Sequence, residues 1–214
     1  MNLLSRKNIY FSLCISLLAL LLFGCAQKAG EEIIALQPYD SFDKKLISEI
    51  ASSLTNEYGL PCITLPSKPI PREAFTQVKT PRYRADKIIQ IQKENKPDSV
   101  SYTLGLTDKD ISTTKRDADG NIKSPVEKYT DWGVFGLGLR PGSSCIVSTF
   151  RLKVPDDKFR ERVMKVCIHE IGHNLGLEHC ENISCVMTDA AESIRTIDGV
   201  KPTLCAACRA RINQ

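Results

Sequence analysis

Three histidines and one glutamate near the C-terminal end of the chain are spaced to bind a metal ion and act on a water molecule beside it. They lie in the segment His169-Glu170-Ile171-Gly172-His173-Asn174-Leu175-Gly176-Leu177-Glu178-His179. Residues four apart on a helix project one above the other from one face, so His169 and His173 can reach a single zinc ion. Glu170 is offset from that face and is placed to take a proton from a metal-bound water rather than to ligate the metal. Gly176 lets the chain leave the helix through a backbone conformation that strains any residue with a Cβ. The chain can then turn back and present His179 as third ligand. Three protein ligands leave a fourth position open, the arrangement of a catalytic rather than a structural zinc. The chain has only three histidines, and all three fall at these positions.

Four cysteines follow at once. Cys180 and Cys185, then Cys205 and Cys208, form two pairs about twenty residues apart, the spacing of a four-thiolate zinc site. Disulfides are the alternative reading if the chain is exported.

The helix that must carry His169 and His173 is expected from about Asp157 to Leu175, with Asp156 as N-cap. Phe159, Val163 and Val166 form one apolar set, and Met164, Ile168, Ile171 and Leu175 another, so its later turns should be buried. Upstream, Phe42, Leu46, Ile50, Leu54 and Tyr58 recur every four residues, and Gly59 with Pro61 ends that helix. A second helical pattern covers about Tyr83 to Lys93. Strands are expected at Ile33–Leu36, Cys62–Leu65, Val100–Leu106, Val134–Leu139 and Cys145–Leu152, the last two joined by a turn at Pro141-Gly142. This order predicts an α/β fold, a mixed sheet with helices packed on it. Asp117-Ala118-Asp119-Gly120-Asn121 begins like a calcium loop, but the glycine comes early and no acid stands at the twelfth position, so it reads as a turn. Cys167 reads as core, and Cys62 with Cys145 as an unsupported candidate pair.

The extended histidine motif, the immediate Cys180, the Cys185-Val186-Met187 element, seventeen further residues and Cys205-Ala206-Ala207-Cys208 span 40 residues. Together they resemble the archaemetzincin family of metzincin-clan zinc metallopeptidases. The resemblance implies a compact metzincin-like domain with a twisted mixed sheet and a zinc-binding active-site helix. It implies catalytic zinc on His169, His173 and His179, Glu170 as general base, and Met187 in a Met-turn beneath the metal. It also implies a structural zinc on Cys180, Cys185, Cys205 and Cys208, making two Zn2+ per chain. The expected activity is hydrolysis of peptide bonds in a peptide or protein substrate, whose strand would pair along Val134–Leu139. The oxyanion partner stays open between zinc and Arg195. The rival function is a catalytically silent, zinc-scaffolded, peptide-binding lipoprotein, against which the presence of Glu170 counts.

The chain begins with Arg6 and Lys7, a 15-residue, largely apolar stretch from Ile9 to Phe23, and then Gly24-Cys25. The stretch is shorter than the roughly 20 apolar residues of a spanning helix and resembles a bacterial lipoprotein signal. The expectation is a signal peptide over residues 1–25 with lipidation at Cys25, a tether over 26–32 and the catalytic domain over 33–214. Such a protein would be exported and lipid-anchored to a bacterial cell membrane, the outer membrane in a Gram-negative cell. Ordinary secretion with Cys25 as a bystander is the alternative. Without Arg6 and Lys7 the count is 27 basic against 25 acidic residues, from 29 against 25 in the whole chain. With no basic run interleaved with aromatics, nucleic acid is not an expected partner. A monomer is expected.

Overall fold

The computed structural model describes residues 31–154, 156–189 and 193–212. The expected signal segment, lipidation at Cys25 and most of the tether therefore lie outside the described residues.

Strand β1 (Ile34–Pro38) is buried along its whole length, as an apolar run at the centre of a parallel sheet should be. Helix α1 (Lys44–Tyr58) begins at Asp43, whose carboxylate accepts the Lys45 amide at 2.8 Å and so caps the first turn. It ends at Gly59, whose φ of 70° is the left-handed conformation the sequence predicted. Strands β2 (Cys62–Thr64), β3 (Phe75–Thr76) and β4 (Arg82–Arg84) precede helix α2 (Ala85–Glu94). Next come β5 (Tyr102–Thr107), β6 (Ile111–Thr113), a short helix α3 (Val126–Tyr129), β7 (Trp132–Val134), β8 (Gly136–Gly138) and β9 (Ser144–Ser148). Helices α4 (Phe159–Asn174), α5 (Ile194–Gly199) and α6 (Ala206–Ile212) complete the chain.

The main sheet has the order β2-β1-β5-β9-β8, parallel except for β8, which runs antiparallel to β9 along the edge. One face carries Leu104, Leu106, Cys145 and Val147 against Leu46, Ile50 and Leu54 of α1 and Ile168 and Ile171 of α4. The other face, with Ile146, receives Ile88 and Ile89 of α2. Burying each such Leu or Ile stabilises the fold by about 1.5–3 kcal/mol. A second sheet, β3-β4-β6-β7, stands beside the first.

The sequence expectation of one strand over Val134–Leu139 is corrected here. The chain bends at Phe135, so Trp132–Val134 closes the second sheet while Gly136–Gly138 edges the first. The strand expected over Cys145–Leu152 stops at Ser148, and Phe150–Leu152 forms a single 3₁₀ turn. Asp117 accepts the amides of Asp119 and Asn121 with its own carboxylate, which makes that segment a side-chain-closed turn. Cys62, Cys145 and Cys167 are free thiols, and Cys167 is fully buried in the core.

Candidate active site and metal centres

Helix α4 starts two residues later than the sequence suggests. Asp156 is not its N-cap residue, but its carboxylate accepts the Lys158 amide and receives two bonds from Arg162. Arg162 also binds Asp198 through two further bonds of 2.6 and 2.7 Å, which ties α4 to the segment carrying α5. Its side chain is 3% exposed, so the tie is held largely away from solvent.

At its other end α4 stops in a Schellman motif. The Leu177 amide donates to the Gly172 carbonyl and the Gly176 amide to the His173 carbonyl, both at 2.9 Å, with Gly176 at φ 91°. This turn reverses the chain and brings His179 back over the helix. One ligating nitrogen from each of His169, His173 and His179 lies within 4.8 Å of the others. Their rings stand 4.6–5.4 Å apart.

Two imidazoles are fixed by the main chain. His169 Nδ1 lies 2.8 Å from the Val186 carbonyl and His173 Nδ1 lies 2.8 Å from the Leu177 carbonyl. A carbonyl only accepts, so each Nδ1 carries the proton and each Nε2 lone pair is left for a metal. Burial pushes the His169 pKa down to about 3 and lowers that of His173. Both are therefore neutral at pH 7, the protonation state ligation requires. His179 is more exposed and has Asp189 3.7 Å from its Nδ1.

Glu170 lies almost wholly inside the protein, and burial pushes its carboxyl up to about 8. Gly136 and Gly138 of β8 explain how a strand can pass so close to it. A Cβ at Gly136 would come 2.6 Å from Glu170 Oε1, and one at Gly138 would come 2.9 Å from the Glu170 carbonyl oxygen. Sequence reading missed this pair, although a glycine repeated at alternate positions within an apolar strand is a signal of close backbone approach. It also missed Asn174, whose amide donates to the carbonyls of Leu139 and Ser144 and fastens the end of α4 to the β8–β9 hairpin.

Under the histidines, Met187 is fully buried and its sulfur sits where a Cβ on Gly172 would be, 2.5 Å from that position. Tyr58 donates to the Ile168 carbonyl at 2.6 Å from below the same turn. The histidines and Glu170 open onto a cavity of about 320 Å3 walled by Phe135, Val166, Val186, Ile197 and Val200. Arg195 does not line this cavity; it stands in a neighbouring groove with Trp132 and Arg151.

The sulfurs of Cys180, Cys185, Cys205 and Cys208 also gather within 4.8 Å. Cys180 to Cys205 and Cys185 to Cys208 each measure 3.8 Å, far beyond a disulfide bond. That distance matches the roughly 3.8 Å edge of a tetrahedron of sulfurs set ~2.3 Å from a central zinc. The Cys208 amide donates to the Cys205 sulfur and holds that thiol down to about 7, while burial pushes Cys185 and Cys208 up. Both donor sets, neutral imidazoles and converging thiols, fit zinc.

The model of Peptidase family M54 matches residues 39–214. The archaemetzincin of Haloquadratum walsbyi is 27% identical over 186 residues, covering 82% of this chain and 96% of its own length. That of Archaeoglobus fulgidus is 29% identical over 180 residues, covering 84% and 98%. The crystal structure of the Archaeoglobus fulgidus archaemetzincin, complexed with malonate, superposes with a TM-score of 0.65 at 28% identity, over 84% of this chain and 99% of that one. The Methanopyrus kandleri archaemetzincin shares the fold at a TM-score of 0.68 and 24% identity, over 88% of this chain and 97% of that one.

These relatives are archaeal, which overturns the expectation of a protein lipid-anchored to a bacterial cell membrane, outer or otherwise. An apolar stretch ahead of a cysteine is a compositional signal and does not say which envelope a chain meets. Among the described residues no helix is long and apolar enough to cross a membrane. With the match to the family model running from Tyr39 to the end of the chain, this protein belongs to Peptidase family M54, the archaemetzincins, and is a zinc metallopeptidase.

Proposed function

We propose that residues 33–214 form one peptidase domain that hydrolyses peptide bonds at a zinc ion held by His169, His173 and His179, with Glu170 as general base. The observation that carries this reading is the convergence of three imidazole nitrogens within 4.8 Å beside a buried carboxyl, under an edge strand. Bound zinc supplies a polarised water and a Lewis acid for the scissile carbonyl. Glu170 accepts the proton of the attacking water and delivers it to the leaving amine. Burial raises its pKa, which favours a group that takes up a proton and holds it until the leaving amine receives it. The edge of β8 offers unpaired amides and carbonyls to an extended substrate, and the glycines there let its backbone approach Glu170. Val166, Val186, Ile197 and Val200 give an apolar seat for a substrate side chain.

Cys180, Cys185, Cys205 and Cys208 would hold a second zinc with protein ligands alone, in a structural role. These cysteines would so fix the loop between Cys180 and Met187, which follows His179 and, through the Val186 carbonyl, orients His169. Met187 acts as packing under Gly172. Every group the reaction needs comes from one chain, so a monomer suffices.

The test is incubation of the zinc-loaded protein with a diverse peptide mixture, new termini being read by mass spectrometry, with Glu170→Ala in parallel. Cleavage that disappears in the variant supports the proposal. Absence of cleavage by a folded, zinc-replete parent would contradict it and favour a peptide-binding role.

A further inference from the structure

Beyond the histidine cavity, the same edge leads to a second groove that the catalytic reading leaves unused. Strands β7 and β8 are each the terminal strand of their sheet, so each has one free edge, and Phe135 joins the two strands. A peptide added antiparallel, the more stable pairing, would run from Gly138 toward Trp132 in its N-to-C direction. Its scissile bond would lie near Gly136 and Gly138, where Glu170 comes closest. Its C-terminal side would then pass Phe135, which lines both cavities, and enter the groove of about 650 Å3 formed with Trp132, Arg151 and Arg195.

Two guanidinium groups meet this groove. Arg151 lies directly against the strand, its Cζ 2.2 Å from the position of a Cβ on Gly133, so only glycine admits it there. Asp110 grips its Nε and Nη2 at 2.7 and 2.9 Å, which fixes the group and balances its charge. Arg82 faces the same carboxylate at 3.3 Å and Asp131 at 3.3 Å, so these two arginines and two aspartates cancel. Arg195 is different. It is exposed on α5, and among the described residues it has no hydrogen-bond or ion-pair partner. Ser193 and Ile194, beside Arg195 in the chain, complete the lining without adding a charge. Among the described residues the groove therefore presents a cation without a counter-charge beside a guanidinium already locked in place. Three residue steps separate Gly133 from Gly136, at most roughly 10 Å along the chain.

We propose that this groove is a carboxylate subsite, with Arg195 as its specificity-determining residue. It would hold a negatively charged group two or three residues to the C-terminal side of the scissile bond. The proposal rests on the peptidase reading above and names the substrate class that reading leaves open: peptides that end at this position in a free carboxylate, or carry Asp or Glu there. Arginine recognises a carboxylate in either source by the same paired geometry.

The test uses the full zinc-loaded chain and one cleavable sequence in four forms. Two end three residues past the cleaved bond, as the free acid or the amide. Two are longer and amidated, with Glu or Gln at that position. KM and kcat are measured for the parent, Arg195→Ala and Arg195→Lys, and binding of the same fluorescent peptides to zinc-loaded Glu170→Ala is read by anisotropy. The acid should have a KM about 5- to 10-fold below the amide in the parent, as one partly exposed charge-assisted pair allows. In Arg195→Ala the ratio should fall to within about twofold, with part of it kept in Arg195→Lys. Because the ratio is taken within each variant, a loss of folded protein does not mimic the effect. A matching gap between the Glu and Gln peptides would assign the site to acidic side chains; a gap confined to the short pair would assign it to chain ends. Equal KM for all four forms in the parent, or an acid preference that survives in Arg195→Ala, would overturn the proposal. If no peptide is cleaved, the peptidase reading fails, while the anisotropy ratio still decides whether the carboxylate site exists.

Discussion

The histidine group takes two of its three members from one helix and the third from the turn that follows it. The cysteine group takes its members from the loop after that turn and from the start of α6, with no two on the same turn of a helix except the Cys205–Cys208 end. His169 and His173 are held by main-chain carbonyls and by a core of Leu54, Ile168 and Ile171, so they would keep their places without a metal. The cysteine segments are joined by the Cys205 amide on Cys185, the Cys208 amide on Cys205 and the backbone bonds from Cys180 to Met187, Val186 to Thr203 and Lys201 to Ser184, which leave four thiols facing one another. One centre is preorganised and open to a cavity. The other is a closed cluster of four thiols, which a metal would complete on the reading proposed above. On the proposed reading, two zinc-binding sets next to each other in sequence divide the work: the fold builds the first, and the second completes the fold around the first.

This contrast can be broken at either side. The largest effect is expected at Glu170. Glu170→Gln should lower kcat by about 10²- to 10⁴-fold, the range for losing a general base. Thermal stability should be unchanged or higher, because a buried carboxyl is removed. Peptide kinetics and a melting curve together check this, and a variant that lost stability along with rate would speak against Glu170 as a functional rather than structural group. Cys208→Ser should do the reverse. It is expected to lower Tm by more than about 10 °C and to speed proteolysis within residues 180–208, since a metal-dependent segment loses its binding energy.

A smaller effect is expected from Arg162→Met, a loss of about 3–8 °C in Tm as the tie between α4 and α5 is cut. Its pH dependence has a definite sign. Arg162 holds the carboxyls of Asp156 and Asp198 below the usual range through its hydrogen bonds. Their stabilising contribution is therefore complete above the unfolded carboxylate value and is lost as pH falls through the lowered folded values. Acid melting curves of parent and variant should separate above the unfolded carboxylate value and converge as pH falls below the lowered folded values. The smallest effect is expected at Asp117, where Asp117→Ala opens an exposed turn and should cost no more than roughly 0.5 kcal/mol, with calcium leaving the melting curve of the parent unmoved.

The site was legible in the sequence because its determinants are local. The four-residue spacing of His169 and His173, the glycine at 176 and the third histidine three residues beyond it are fixed by helix geometry and by one backbone conformation. Helices α1 and α4 were legible for the same reason, since a stripe such as Leu46, Ile50 and Leu54 reports its own periodicity. What escaped depends on partners far away in the chain. Val134 to Leu139 reads as one strand, and only its two different neighbours, β6 and β9, show that Phe135 divides it. Ile111–Thr113 is a three-residue strand in a polar stretch, too short to show a period. Arg162 looks like a solvent-facing residue of a helix until Asp198 closes on it from 36 residues away. The extended apolar stretch near the N-terminus misled in the opposite way, being a strong local pattern from which a cellular location does not follow.

The most direct test of this account is a zinc count by native mass spectrometry on three proteins: the parent, His173→Ala and Cys208→Ser, each with X-ray absorption at the zinc edge. Two zinc ions in the parent are expected. His173→Ala should retain one in an all-sulfur environment, with the fold intact, and Cys208→Ser should lose that signal and the stability it confers. A parent with a single zinc, or a His173→Ala protein whose remaining zinc is bound by nitrogen and oxygen, would contradict the division into an open catalytic centre and a closed structural one.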